Sequence, residues 1–178
     1  KLIMHCKSKD IKFNHILDIG AWVGTWTMAM NEFCGRVIAF EPDPVHYECL
    51  VKNCPEDVET HQLAVGNEEK MISLSEDNFT QAKRVVGDGT IPMVTIDSLG
   101  LDDVDLIKID VEGFEMEVLK GAENTLKNVD YLMIELNNNS KKYGSSNLEI
   151  EKHLRKSGYE ILIKVWPDVV WRKKGGRK

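Results

Sequence analysis

Apolar positions along this chain follow two rhythms. "HILDIG", His15 to Gly20, is a short apolar run ending in glycine and reads as a buried strand. "TWTMAMNEFC", Thr25 to Cys34, sets Trp26, Met30 and Phe33 on one side of a helix. "RVIAFEPD" is a second strand, and "PVHYECLVKN" a second helix with Pro44 in its first turn, where a missing N–H costs nothing. "VETHQLAVG" makes a third strand. This alternation predicts a parallel sheet with helices on both faces.

The middle of the chain changes rhythm. "KMISLSED" and "GTIPMVTIDSL" alternate polar and apolar residues, as half-exposed strands do, and they bracket a polar loop, Asn78 to Asp88. A small β insertion over residues 70–97 is therefore expected. The first rhythm returns with "DLIKIDVEGFEMEVLKGA" (Asp105 to Ala122) as strand and helix, and "VDYLMIEL" as the next strand. After the turn formers of "NNNSKKYGSS", "NLEIEKHLRKSG" forms a helix closed by Gly158. "YEILIKV" and "DVVWRKK" finish as strands joined by a tight Trp166-Pro167 turn, which suits an antiparallel pair at the sheet edge. Residues 1–178 read as one domain, with an upstream segment, 1–14, that opens on lysine and fits a trimmed or internal start.

Charge narrows the partners. The net charge is −6, yet the basic tail over 172–178 holds five positive groups. The rest carries 18 basic against 29 acidic residues, about −11, which disfavours nucleic acid as the main partner. No run approaches the ~20 apolar residues of a membrane span. The four cysteines lack zinc-ligand spacing, so free thiols in a reducing, cytoplasmic compartment are expected.

Chemistry enters at the first strand–helix turn. "LDIGAWVGTWT" carries D-x-G-x-x-x-G: Asp18, Gly20, Gly24. The nicotinamide fingerprint G-x-G-x-x-G is broken here, because Trp22 stands at its second glycine. An acidic residue entering the turn suits a ligand with an ammonium group and repels a pyrophosphate. Glu41 then ends the second strand about twenty residues on, where a carboxylate accepts hydrogen bonds from the vicinal hydroxyls of a ribose. A nucleoside at one end and an amino acid at the other describe S-adenosylmethionine.

The later strand "DLIKIDVEG" is interrupted by Lys108, Asp110 and Glu112, spaced two apart and therefore on one side of a strand. Buried charge needs a partner or a task. Lys108 reads either as a brace for a carboxylate or as a base, and Glu112 either as part of the site or as the start of a helix.

"ILDIGAWVGTWT", "VIAFEPDP", "LAVGNEE", "VTIDSL", "DLIKIDVEGFEMEVLKGA" and "YLMIEL" together resemble the FkbM-type methyltransferases in order and spacing, from about His15 to Glu135. The resemblance implies an α/β fold of the Rossmann-like class I methyltransferase type. That is a three-layer sandwich around a mostly parallel seven-stranded sheet with an antiparallel final strand. It implies methyl transfer from S-adenosylmethionine to a hydroxyl, most often of a sugar or glycan. Another small molecule, an RNA, or a catalytically silent nucleoside-binding module of the same fold are the alternatives. By the resemblance Asp18, Gly20, Ala21, Gly24 and Thr25 hold the methionine end, Glu41 and Pro42 the ribose, and Ala64 and Val65 lie near the adenine. The sequence departs from common members at Trp22, where smaller residues are usual, and at Asn137-Asn138, where many place a histidine.

Methyl transfer is an in-line displacement, so alignment of the acceptor oxygen is the main requirement. The hydroxyl must also lose its proton. Asp110 is the preferred base or hydrogen-bond partner, a desolvated Lys108 an alternative base, and Glu112 a neighbour of both. Asp110, Glu135 and Asn137 also form an oxygen set of the kind magnesium takes, and some enzymes of this fold hold that ion at equivalent strand ends.

Overall fold

A computed structural model describes residues 2–75 and 85–176, apart from the side chains of Ile3 and Lys7. Most of the expected polar loop, Asn78 to Asp88, and the last two residues of the basic tail lie outside them. Ten strands and five α-helices are described: α1 (Leu2–Lys9), β1 (Phe13–Ile19), α2 (Thr25–Asn31), β2 (Cys34–Phe40), α3 (Pro44–Asn53), β3 (Glu59–His61), β4 (Ala64–Val65), β5 (Lys70–Leu74), β6 (Val85–Val94), β7 (Leu106–Ile109), α4 (Glu115–Lys120), β8 (Tyr131–Glu135), α5 (Asn147–Lys156), β9 (Tyr159–Val165) and β10 (Asp168–Lys173).

Seven strands form one sheet in the order β3-β2-β1-β7-β8-β10-β9. From β3 to β8 neighbours run parallel, whereas β10 is antiparallel to both β8 and β9. This is the Rossmann-like sheet expected, with its final strand reversed. That strand lies between β8 and β9, so β9 forms the edge. Period-two alternation divides the core between the two faces. Leu17, Ile19, Ile38, Phe40, Ile107 and Ile109 pack with Val118 and Leu119 of α4 and with Ile150 and Leu154 of α5. Ile16, Val37, Ala39 and Leu106 pack with Leu2 and Cys6 of α1, Met30 of α2 and Leu50 of α3. A parallel sheet needs both faces covered, which explains the near-continuous apolar runs of β1, β2 and β7.

Two helix starts are set locally. Asp43 caps α3, accepting the N–H groups of Val45 and His46 at 3.0 and 2.9 Å, with Pro44 next to it. Ser146 caps α5, accepting the Glu149 N–H while its hydroxyl donates to the Glu149 carboxylate.

The third strand of the sequence reading divides in the structure. β3 belongs to the large sheet, and β4 crosses to a second sheet of order β4-β6-β5. The insertion is therefore joined to the main fold through Ala64–Val65, and β6 starts at Val85, before the expected Gly89. The first residues form a helix, α1, that no cap or strong periodicity announces.

Candidate active site

At the carboxyl ends of β1, β2 and β7 the chain forms an open cleft lined by residues from all three strand ends and from the insertion. Its position is dictated by backbone pairing. Gly20 and Ala21 both donate to the Phe40 carbonyl, at 2.9 and 3.0 Å, which folds the turn after β1 over the end of β2. The Asp110 N–H donates to the Ile19 carbonyl at 3.0 Å. Gly20 has φ +79°, and a Cβ there would fall on the Asp110 carbonyl oxygen. Only glycine supplies both the conformation and the clearance.

Glu41 lies at the cleft wall, 7% exposed. One carboxylate oxygen accepts the Trp22 N–H at 2.9 Å, the other the Asp43 N–H at 3.0 Å. Burial pushes its pKa up to about 7 despite those two donors. His46 lies 3.8 Å from the same carboxylate and edge-on to the Trp22 ring, with 6.4 Å between ring centres. Trp22 itself adopts φ +52°, an unusual backbone for a bulky residue.

Of the residues assigned to the cofactor from sequence, Gly20, Glu41, Pro42, Ala64 and Val65 line the cleft. Asp18, Ala21, Gly24 and Thr25 are not among the lining residues, and Thr25 is exposed. Asp18 is fully buried, and both its oxygens are engaged: Thr27 Oγ1 donates at 2.6 Å and Lys108 Nζ at 3.2 Å. Sequence reasoning missed Ile19, Trp22, Phe40, His46, Leu63, Leu74, Val85, Val111 and Phe114, which with Asp110 and Glu112 complete the wall. Leu74 and Val85 come from the insertion, whose alternating pattern marked it as half-buried without saying against what. Phe114 meets Tyr143 edge-on at 5.0 Å, and the Tyr143 hydroxyl donates to the Val85 carbonyl at 3.2 Å.

The polar file of β7 now has a physical reason. Lys108 and Asp18 are register partners on adjacent strands. The Lys108 ammonium sits between Asp18 at 3.2 Å and Asp110 at 3.3 Å, 5.7 Å from the centre of the Trp26 ring. Burial alone lowers its pKa, but the two carboxylates outweigh burial and raise it. Glu112 departs from the file. β7 ends at Ile109, and Glu112 takes φ +54° in the turn before α4.

There Asp110, Glu112 and Glu135 bring carboxylate oxygens within 4.8 Å of one another. Asn137 donates its amide N–H groups to Glu112 and Glu135 at 3.0 and 2.7 Å, while its oxygen accepts the Asn139 N–H. Asn139 adds a donor to Glu112 at 2.8 Å. Of the expected magnesium set, Asp110 and Glu135 stand together with Glu112 as the third carboxylate, whereas Asn137 turns its amide nitrogen toward the cluster. Burial, the Asp110 charge and a hydrogen bond to Asp110 push Glu135 up to about 8.

The sequence model of the methyltransferase FkbM domain matches residues 18–161, well over half of the chain. The chain belongs to the FkbM methyltransferase family. Hexuronic acid methyltransferase AglP of Haloferax volcanii is 29% identical over 130 residues, an alignment covering 67% of this chain and 54% of that protein. Methyltransferase 1 of Beauveria bassiana is 27% identical over 158 residues, covering 68% and 64%. The chain thus spans between about half and two thirds of the length of these curated relatives. Among solved structures, a methyltransferase FkbM from Methylobacillus flagellatus superposes with a TM-score of 0.66 at 19% identity, covering 90% of this chain and 43% of that one. A putative tRNA (m1A22) methyltransferase of Streptococcus pneumoniae, solved with S-adenosyl-L-methionine, gives 0.57 at 14% identity, covering 97% and 72%. These likenesses establish the fold.

In this FkbM-family chain, Glu41 and Glu115 titrate near 7 and Glu135 near 8, all raised by burial from 4.5. A raised carboxylate pKa means that the folded chain keeps its proton to higher pH than the unfolded chain does. That stability is complete below 4.5 and is lost as pH rises through 7 to 8. His15 and His153, lowered by burial, act oppositely, but only as pH falls through and below 6.5. The Tm of the ligand-free protein is therefore expected to fall by a few degrees between about pH 6.5 and 8.5, about 1 kcal/mol corresponding to ~2–4 °C. Differential scanning fluorimetry at constant ionic strength checks this, and a Tm rising across that interval would contradict it.

Proposed function

We propose that this chain is the catalytic domain of an S-adenosylmethionine-dependent O-methyltransferase whose acceptor is a hydroxyl of a sugar or glycan. The observation that carries the reading is one cleft with Glu41 at one side, a glycine-floored turn between, and Asp110 at the other. Family membership supports methyl transfer, and the name of the Haloferax relative supports a sugar acceptor.

S-adenosylmethionine, when bound, supplies an electrophilic methyl group on a sulfonium. The chain's own residues do the rest. Glu41 keeps lone pairs free to accept from ribose hydroxyls, its orientation fixed by the Trp22 and Asp43 N–H groups. Phe40, Leu63, Ala64 and Val65 offer an apolar wall for a base. Gly20 keeps the turn low beneath the ligand. Lys108, an ammonium held by Asp18 and Asp110, acts as a brace that fixes Asp110, and the neutral-lysine base of the sequence reading is set aside. Asp110, about one third exposed at the cleft, aligns the acceptor hydroxyl and receives its proton. Among the described residues no helix is long and apolar enough to cross a membrane. The four free cysteines support a reducing, cytoplasmic setting.

Calorimetry with S-adenosylmethionine and with NAD is the direct test. Saturable binding of the first and none of the second is expected, and the reverse would refute the proposal. Glu41→Gln should weaken S-adenosylmethionine binding by roughly 10–100-fold, the loss of a charge-assisted pair of hydrogen bonds. An unchanged Kd removes Glu41 from the ribose.

A further inference from the structure

One buried acid stands outside the cleft. Glu115, the first residue of α4, is 1% exposed and is not among the residues that line the site. No ion pair among the described residues involves it, and the charge that acts on it from nearby is the like charge of Asp110. A carboxylate taken out of water without a cation needs N–H donors in its place. The turn before α4 supplies them. The Gly113 N–H donates to Glu115 Oε1 at 2.9 Å, and the N–H groups of Val111 and of Glu115 itself add further hydrogen bonds. Backbone N–H groups that converge in this way make a nest for an anion, and the chain fills it with its own side chain.

What the nest fixes follows from peptide geometry. In a trans peptide the carbonyl and the N–H of one plane point in opposite directions. The Asp110 carbonyl packs beneath Gly20, where a Cβ would fall on it, and the N–H of the same peptide, that of Val111, is bonded to Glu115. The peptide after Asp110 is therefore held at both ends. On its other side, the Asp110 N–H is tied to the Ile19 carbonyl at 3.0 Å. Together these contacts set the direction in which the Asp110 side chain leaves the backbone. The peptide between Glu112 and Gly113 is held as well, since its N–H is the one that Glu115 accepts at 2.9 Å. Glu112 and Gly113 both have positive φ, +54° and +111°, and a Cβ on Gly113 would meet the Asn139 carbonyl group at 2.6 Å. For Glu112 that backbone is one an L-residue rarely adopts, so the turn has to be held in place from outside.

A helix-start role alone does not account for this arrangement. An acid that serves a helix N-terminus faces the N–H groups of the helix's own first turn. Two of the three donors to Glu115, Val111 and Gly113, precede α4. Glu117 is the acid of that first turn placed as a helix charge, and it pairs with Lys120 at 2.8 Å, away from the 110–113 turn. The two supports of Asp110 divide the work. Lys108 holds the end of its side chain at 3.3 Å, and Glu115 holds the backbone from which that side chain starts.

We propose that Glu115 is a positioning residue for methyl transfer: its buried carboxylate seats the backbone of the 110–113 turn and so aims Asp110 at the acceptor hydroxyl. The effect on transfer rests on the methyltransferase reading, whereas the placement of Asp110 can be measured without turnover. Glu115→Gln is the discriminating substitution. It keeps the size of the side chain and one oxygen for the Gly113 N–H, but its amide group sets a donor against the remaining donors of the nest. The turn then relaxes, and Asp110 moves with it.

The test compares the full chain as wild type, Glu115→Gln and the control Glu117→Gln, at a pH above the Glu115 pKa of about 7. Side-chain carboxyl ¹³C resonances of Asp110 and Glu41 are recorded on the ligand-free chain. In Glu115→Gln the Asp110 resonance should move and the Glu41 resonance stay, and in Glu117→Gln neither should move. Transfer of a labelled methyl group from S-adenosylmethionine to a panel of pyranosides is then measured. For Glu115→Gln kcat should fall by about 10–100-fold, the range that a small misplacement of a reacting group produces, with KM and the Kd for S-adenosylmethionine changed only a few-fold. An Asp110 resonance that stays in place overturns the proposal, as does an unchanged kcat or a loss carried by KM or Kd. A Glu115→Gln chain that is unfolded at the assay temperature shows a structural role only and overturns it too. A wild type that methylates no pyranoside, or does not bind S-adenosylmethionine, refutes the functional reading instead, and the Asp110 resonance then decides the placement by itself.

Discussion

Asp110→Asn is expected to lower kcat/KM by about 10²–10⁴-fold, the range over which a positioned general base contributes, while the Kd for S-adenosylmethionine changes only a few-fold. The substitution keeps the shape and one acceptor oxygen, and removes the ability to take a proton. It does not orphan Lys108, which retains Asp18 at 3.2 Å. A folding defect of the kind that follows loss of a sole buried counter-ion is therefore not expected. The measurement is transfer of a labelled methyl group to a glycoside acceptor, with Kd and Tm recorded on the same preparation. Glu112→Gln is the matched control. Its carboxylate is occupied by Asn137 and Asn139, so its loss should disturb the turn before α4 more than the chemical step. Full-rate transfer by Asp110→Asn would remove Asp110 from catalysis and shift attention to Glu135. That group lies within the same 4.8 Å cluster and titrates at about 8.

Much of the frame was legible because local pattern and tertiary environment agree. The unbroken apolar runs of β1, β2 and β7 reflect a sheet buried on both faces, and the glycine after β1 marks a turn that only glycine can make. The division of "VETHQLAVG" between two sheets was not legible. A continuous apolar run shows that a segment is buried, but not that its two ends pair with different partners. The helix α1 escaped notice for a related reason: it is anchored by Leu2 and Cys6 in the core, whereas its own pattern is weak.

The site shows the same boundary. Lys108, Asp110 and Glu112 stood out as charge in an apolar strand, but spacing alone cannot tell a brace from a base. The register pairing of Lys108 with Asp18, a contact between residues ninety positions apart, supports the brace. Asp18, expected to meet a ligand's ammonium, is paired in the folded chain with Lys108 and Thr27. Asn137 offered sequence reasoning an oxygen, and the folded chain turns its nitrogen to Glu112 and Glu135. Trp22 and His46 were invisible as wall residues because their place depends on a positive φ at Trp22 and on the cap of α3.

The largest stability effect is expected from Gly20→Ala. Two costs combine at this position. The φ of +79° puts any L-residue into the left-handed region, at roughly 1–2 kcal/mol. The new methyl would also fall on the Asp110 carbonyl oxygen, which is backbone at the end of a central strand and cannot swing aside as a side chain would. Relief requires β1 and β7 to part where the Asp110 N–H bonds to Ile19, or the turn to lift away from Phe40. Overpacking of this kind adds about 1–3 kcal/mol, for a combined loss of about 2–5 kcal/mol. Since about 1 kcal/mol corresponds to ~2–4 °C in a domain of this size, the expected drop in Tm is roughly 5–20 °C. Gly144→Ala separates the two costs: its φ is +74°, yet a Cβ there meets nothing within 4 Å. That variant should lose only the conformational part and keep its affinity for S-adenosylmethionine. Gly20→Ala, assayed below its own Tm, should show no saturable binding, because the lifted turn would occupy the floor of the cleft between Glu41 and Asp110. Equal Tm values for the two variants would show that the close approach of Gly20 to Asp110 is not a constraint on the fold. Retained cofactor binding in Gly20→Ala would move the ligand away from this turn.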